Sequence, residues 1–426
     1  MTELWITCHC GTAAQTVRLG GPVPQDVDIC HCDDCRHNTG VLCTSYVAIE
    51  KPVRVEGLVA YTAKRSEGRE EPGGVEEKGG ERDGLTRWFC GRCGCHVFSK
   101  GDGNGEGWEV ATGVVVGDDA ENCEETEVEE GEEKETGSRE QLWRYVRHVN
   151  TDGTKDGGLS PFIRDIGGRS LEVHGGLDAP LRSGISTALD TAIEEVVLNG
   201  YCHCRNVRFQ ITRPNAASTV PRSGFPDLMA PYYTGSEEIR NPQDVKWWLH
   251  PTVGANIRKE DTDGRDGRTT RYMGGTCACR SCRLISGFEI QTWAFVPKAN
   301  IFFHVPSSAN GKDTTAATTT TTMPLEFDTL PEGILSSYES KAGVHREFCA
   351  KCGATVFWRD RLRSELMDVS VGLLDAQEGA KAESWLDWWR NRVSFEEEAG
   401  TERTGEVKKT AVELVSSLAR GLREVA

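Results

Sequence analysis

The sequence predicts a mainly β chain made of two tandem units, interrupted by acidic inserts and closed by one helix. Three observations carry that prediction. Seven cysteines recur in the same order in each half, the runs around them are rich in β-branched and aromatic residues, and the acidic stretches lack the apolar residues a core needs.

The first half reads Cys8-His-Cys10, then Cys30-His-Cys32-Asp-Asp-Cys35, then Cys90-Gly-Arg-Cys93. The second reads Cys202-His-Cys204, then Cys277-Ala-Cys279-Arg-Ser-Cys282, then Cys349-Ala-Lys-Cys352. The agreement extends beyond the thiols. Each triplet is followed by Arg36, Thr39 and Gly40, or by Arg283, Ser286 and Gly287, and then by an aromatic, Tyr46 or Trp293. Phe89 and Phe348 precede the final pairs, Gly94 and Gly353 follow them, and Val97-Phe98 and Val356-Phe357 come next. Gly113 and Gly372 end the register.

The units follow from this repeat as residues 1–175 and 196–400, with a linker at 176–195 and a helix at 401–426. Around the cysteines, Thr44–Ile49, Trp108–Val116, Trp293–Val296 and Met367–Leu374 have strand composition. The stretch from Ile211 to Tyr272 lengthens the second unit and reads as a loop because Pro and Gly are scattered through it. Ser66–Asp83, Asp119–Glu140 and the threonine tract Thr314–Thr322 read as disordered, too polar to offset their ordering entropy. Near the end, Val407, Ala411, Leu414, Val415, Leu418 and Leu422 share one helical face. That helix is expected to lie on the second unit.

The net charge of -17 argues against sequence-independent nucleic-acid binding, which needs clustered Lys and Arg. No apolar run approaches the ~20 residues that span a bilayer, and the opening residues do not read as a signal peptide. A soluble cytoplasmic protein is expected, and a nuclear setting stays open. In that compartment thiols stay reduced, so the 17 cysteines need an explanation other than disulfides. Cys43, Cys95 and Cys123 read as small buried hydrophobes. The other fourteen are spaced to converge on metal ions.

A structural zinc takes four ligands, whereas a catalytic one keeps a position open. Seven thiols per unit divide accordingly into four and three. Cys8, Cys10, Cys90 and Cys93 would close one site, and Cys202, Cys204, Cys349 and Cys352 its counterpart. Cys30, Cys32 and Cys35, and likewise Cys277, Cys279 and Cys282, would each hold a zinc with one free position. The competing division completes the first triplet with His37, Cys43 or Cys95. The matching Leu284, Ile290 and Ala354 cannot ligate, so it applies less readily to the second. His9, His31 and His203 are expected to point away, since Ala278 stands where His31 does. Arg36 and Arg283, beside three thiolates, are candidates for offsetting that charge or receiving an anionic ligand, or else are plain surface residues.

These motifs resemble the glutathione-dependent formaldehyde-activating enzyme family, which includes centromere protein V. The resemblance covers roughly 5–118 and 198–395 and rests on Cys-Arg-x-x-[Ser/Thr]-Gly and Phe-Cys-x-x-Cys-Gly in both halves. Asp156-Gly-Gly-Leu-Ser-Pro-Phe and Ala382-Glu-Ser-Trp-Leu-Asp-Trp-Trp are similar to the tails of large fungal members. Ala278 in the second triplet and Cys10-Gly-Thr-Ala-Ala in the first unit depart from the family pattern. The resemblance implies tent-like β domains, a structural zinc on the outer clusters and a labile or catalytic zinc on the middle one. It implies a carbon–sulfur lyase acting on a thiol adduct, with glutathione or a similar small thiol as partner. The alternative it allows is a non-catalytic zinc scaffold.

Overall fold

The computed structural model describes residues 2–63, 84–101, 107–117, 141–174, 196–235, 237–251, 270–306 and 320–425. Ser66–Asp83, Asp119–Glu140 and the linker at 176–195 lie outside them. The chain is mainly β, with helices α1 (Asp33–Thr39), α2 (Arg280–Ser286) and α3 (Gly405–Glu424).

Each unit is built on antiparallel sheets. In the first, a five-stranded sheet runs Tyr46–Ile49, Trp108–Ala111, His96–Lys100, Thr86–Cys90, Leu58–Thr62, and a smaller sheet sets Glu3–Ile6 between Gln15–Arg18 and Val115–Gly117. In the second, Gln291–Pro297, Leu366–Ser370, Thr355–Asp360, Val344–Cys349 and Leu335–Lys341 repeat the five-stranded order. The strand Gln291–Pro297 is buried along its whole length, which suits its run of Thr, Trp, Ala, Phe and Val. The strand that delivers each triplet, Gln25–Cys30 or Arg271–Cys277, is joined in parallel by a tail strand, Trp143–Val149 or Leu386–Trp388.

The motifs shared by the two halves are where the halves touch. Before each final cysteine pair a β-bulge falls at the same place, Trp88/Phe89 and Glu347/Phe348, and turns the chain into a tight loop. Gly94 and Gly353 close these loops at φ +80° and +78°, a region costly for any residue with a Cβ. A Cβ on Gly94 would also meet the Phe348 ring at 2.7 Å, and one on Gly353 the Phe89 ring at 2.4 Å. Each phenylalanine therefore packs on the other unit's glycine. The helices do likewise: α1 lies against Val371–Leu373 and α2 against Thr112–Val114. Gly372 N donates to Gly40 O at 3.2 Å and Gly113 N to Gly287 O at 3.0 Å. The two units are related by an approximate twofold within one chain.

Three expectations are corrected. The helix face named from periodicity is buried in α3, but α3 rests mainly on the first unit, against Val115–Gly117 and Asp165–Ile166. Thr404 N donates to Val116 O, and Arg420 pairs with Asp165. Periodicity fixes which side of a helix is apolar and leaves open which neighbour covers it. The described part of the insert, up to residue 251, is largely irregular as expected of a loop, but Leu228, Trp247 and Trp248 are buried in the common core. The threonine tract ends in a strand, Thr320–Pro324, paired with Ile301–Pro306.

Candidate metal centres

Four groups of thiols converge. Cys8, Cys10, Cys90 and Cys93 have their sulfurs within 4.8 Å of one another, as do Cys202, Cys204, Cys349 and Cys352. The two triplets, Cys30 with Cys32 and Cys35 and Cys277 with Cys279 and Cys282, meet the same limit. In the four-thiol groups, Cys8–Cys10 is 3.6 Å, Cys10–Cys90 3.5 Å, Cys202–Cys204 3.4 Å and Cys204–Cys349 3.5 Å. In the first triplet Cys30–Cys32 is 3.5 Å and Cys30–Cys35 3.7 Å. Metal–sulfur bonds of about 2.3 Å in a tetrahedron give edges of about 3.8 Å, so these separations suit thiolates around one ion.

Local structure explains the triplet spacing. Cys30 and Cys277 end strands, while Cys32 and Cys279 are the N-caps of α1 and α2. The cap sulfur accepts from the amide of the third cysteine, Cys35 N at 3.4 Å and Cys282 N at 3.2 Å. The two-residue gap is the reach of an N-cap side chain into the first turn. Cys30 and Cys32 are half-buried, so the first triplet keeps a side toward the surface, whereas the second triplet is more deeply buried.

The arginines next to the triplets in sequence do not serve them. Arg36 donates to Gly372 O and Leu374 O at 3.2 and 2.6 Å, and Arg283 to Gly113 O and Thr401 O at 2.6 and 3.0 Å. Both are buried across the junction between units, so the expected contact with a thiol ligand is corrected. Burial, with Arg403 nearby, pulls Arg283 down to about 9.

The guanidiniums that reach the triplets are Arg87, 3.0 Å from Cys35 Sγ, and Arg346, 3.3 Å from Cys282 Sγ. Both stand three residues before a final pair, as Arg87-Trp-Phe-Cys90 and Arg346-Glu-Phe-Cys349. That repeated Arg was a signal in the sequence that the motif reading passed over. Cys35 and Cys282 are held well below the ordinary thiol range, first by hydrogen bonds from their sister cysteines and then by these arginines. Asn150 Nδ2 adds a bond to Cys30 Sγ at 3.3 Å.

The motif histidines face away. His148 Nε2 donates to Ile163 O at 2.7 Å, which leaves its Nδ1 to accept from His31 Nε2 at 2.8 Å. His9 meets the Tyr338 hydroxyl and His203 that of Tyr61, each across the junction. Nor do the alternative ligands join the first triplet. His37 Nδ1 is bonded to Tyr201 O, and buried Cys43 and Cys95 fall outside the sulfur group. Burial pushes Cys43 up to about 12.

Comparison with known proteins agrees with this architecture. The family model for glutathione-dependent formaldehyde-activating enzyme matches residues 3–129 and 267–391. No curated protein and no solved structure shows significant similarity to the chain. The second matched stretch starts beyond Cys202 and Cys204, which the fold nevertheless brings to Cys349 across the insert. With matches over more than half its length, the chain belongs to the glutathione-dependent formaldehyde-activating enzyme family, whose pattern it carries in two segments.

Proposed function

We propose that this protein is a zinc-dependent carbon–sulfur lyase acting on a thiol adduct such as that of glutathione and formaldehyde. The observation that carries the reading is the unequal division of thiols: two groups of four and two groups of three. The donor set fits zinc, being all thiolate at tetrahedral spacing. Cys8, Cys10, Cys90 and Cys93, with Cys202, Cys204, Cys349 and Cys352, would hold the structural ions. Cys30, Cys32 and Cys35, with Cys277, Cys279 and Cys282, would hold the reactive ones. Zinc bound by three thiolates supplies a position where an incoming thiol loses its proton and a carbonyl or hydroxymethyl group is polarised.

The chain's own residues prepare that position. Arg87 and Arg346 offset the charge of three thiolates, which lets each cluster accept another anionic sulfur. The N-cap geometry fixes Cys32 and Cys279, and Asn150 orients Cys30. This chemistry needs reduced thiols, which favours a cytoplasmic setting. Among the described residues no helix is long and apolar enough to cross a membrane.

One observation favours the scaffold alternative. Among the described residues, the side chains from outside each triplet that bond its sulfurs include Asn150, Arg87 and Arg346, none of them a general base. Cobalt-substituted protein tests the choice. Glutathione should change the cobalt–thiolate absorption, and the change should vanish when Cys32 and Cys279 are both replaced by Ser. An unchanged spectrum up to millimolar thiol, with no thiol-dependent loss of formaldehyde, would replace the enzyme reading with the scaffold.

A further inference from the structure

We infer that Asn38 is a positioning residue for the three-thiol cluster of the first unit and ties that cluster to the four-thiol cluster of the second. The argument begins at Arg87, whose side chain is buried and whose Nη2 donates to Cys35 Sγ at 3.0 Å. A buried guanidinium can approach a thiolate from several rotamers, so something must fix its plane. Asn38 does this: its Oδ1 accepts from Arg87 Nη1 at 3.1 Å. Asn38 is itself fully buried on α1, one turn beyond Cys35. Its remaining donor, Nδ2, points across the junction to the carbonyl oxygen of Cys352 at 3.4 Å.

Cys352 belongs to the closed cluster of the second unit. A continuous path therefore runs from that cluster through a main-chain carbonyl, an amide and a guanidinium to the open cluster of the first. The matching side-chain path is missing in the reverse direction. Ile285 occupies the position matching Asn38, three residues past Cys282, and cannot hydrogen-bond. Arg346 is held instead by Ser281 Oγ at 2.9 Å, within its own unit and beside the thiols it serves. The two open clusters thus have the same arginine aimed by different means. Only the first is aimed by a side chain that reaches across to the other unit's closed cluster.

The inference rests on the reading that the triplets hold zinc, and the test separates the two. In full-length protein carrying Cys279→Ser, the first triplet is the only intact three-thiol cluster. Bound metal and its rate of release to a chelator are then measured, together with the cobalt–thiolate absorption. Asn38→Ile, which installs the second unit's own residue, should leave the metal count unchanged, release the fast metal about tenfold sooner and shift the cobalt band. Arg87→Met should do the same, and the double variant no more than either alone. Cys204→Ser, which loosens the closed cluster around Cys352, should speed release in the parent and add nothing in Asn38→Ile. Should Asn38→Ile be insoluble, Asn38→Asp replaces it. That variant keeps the acceptor toward Arg87, so release should stay slow while the response to Cys204→Ser disappears. Unaltered release and an unaltered band in Asn38→Ile overturn the positioning role. A response to Cys204→Ser that persists in the Asn38 variants overturns the link. A parent chain with no fast-releasing metal instead defeats the reading of the triplets as zinc sites.

Discussion

Arg283 of the second unit donates to the carbonyl of Gly113 in the first at 2.6 Å, and Arg36 makes the matching contact to Gly372 at 3.2 Å. The repeated arginine after each triplet is therefore part of the junction between units. It explains why the same motif ends in a glycine: Gly40 and Gly287 cap α1 and α2 and present their carbonyls to Gly372 and Gly113. Arg403 completes the junction. Its fully buried guanidinium forks onto Glu289 at 2.7 and 3.0 Å and also donates to Val115 O of the first unit.

Removing such a contact should weaken the whole chain. Arg283→Met leaves the buried carbonyl of Gly113 without this donor, at about 1–3 kcal/mol, and also removes the part-buried bond to Thr401 O. We expect a loss of about 3 kcal/mol, read in urea as one cooperative transition, with bound metal unchanged. Two separate transitions, of which only one moves, would show that the units fold independently.

Metal content should divide as the thiols do. Purified protein is expected to hold four zinc ions per chain, two released quickly by a mild chelator and two slowly. Total zinc of two or fewer in undialysed protein contradicts the assignment of both cluster types.

Changes within the two cluster types should have different consequences. Cys90 and Cys349 are fully buried and close loops that Phe348 and Phe89 pack upon. Replacing either by Ser should destabilise the chain strongly, since ligation there is part of the folding free energy. Cys32 and Cys279 are half-buried helix caps, and their Ser variants keep a cap acceptor. They should lose fast-releasing metal at a cost of about 1 kcal/mol. Equal unfolding in thermal melts would mark the triplets as structural.

Gly421 gives a change whose sign the fold reverses. In an isolated helix Gly→Ala gains about 1 kcal/mol. Here the added Cβ would stand 1.9 Å from Phe162 O, and overpacking costs about 1–3 kcal/mol. Gly421→Ala should therefore lower the melting temperature, and a rise would show that α3 is not seated on the first unit.

Acid should destabilise the protein well above the carboxylate range. Burial holds His96 near about 3 and His148 near about 4, against 6.5 when free. Between those values the unfolded chain binds more protons than the folded one, so stability falls as pH drops below 6.5. Each histidine contributes up to about 1.4 kcal/mol per pH unit to that slope. Melts at pH 7.5, 6.5 and 5.5 should show it, and His148→Gln should flatten it. An equal slope in that variant removes His148 as a source.

Much of the site was legible because covalent spacing limits what thiols can do. Cysteines one or two residues apart reach one ion whatever surrounds them, so Cys30-His-Cys32 and Cys349-Ala-Lys-Cys352 announce their clusters. The repeat also located Phe89, Phe348, Gly94 and Gly353, but gave them no purpose. Their reciprocal packing exists only when two units face each other.

What the sequence by itself determined is the strand-rich character, the two copies, the thiol groupings and the apolar face of α3. Each follows from local spacing or periodicity. The tertiary structure decided which long polar side chain serves which group. Arg36 and Arg87 are equally able to reach a thiolate in composition, but α1 turns Arg36 toward Gly372 while Thr86–Cys90 brings Arg87 to Cys35. It also decided that α3 covers the first unit, because the matching surface beside Val115–Gly117 arises only from strands far apart in the chain. Partner choice is a long-range property, set by which surfaces the fold brings within a few ångströms.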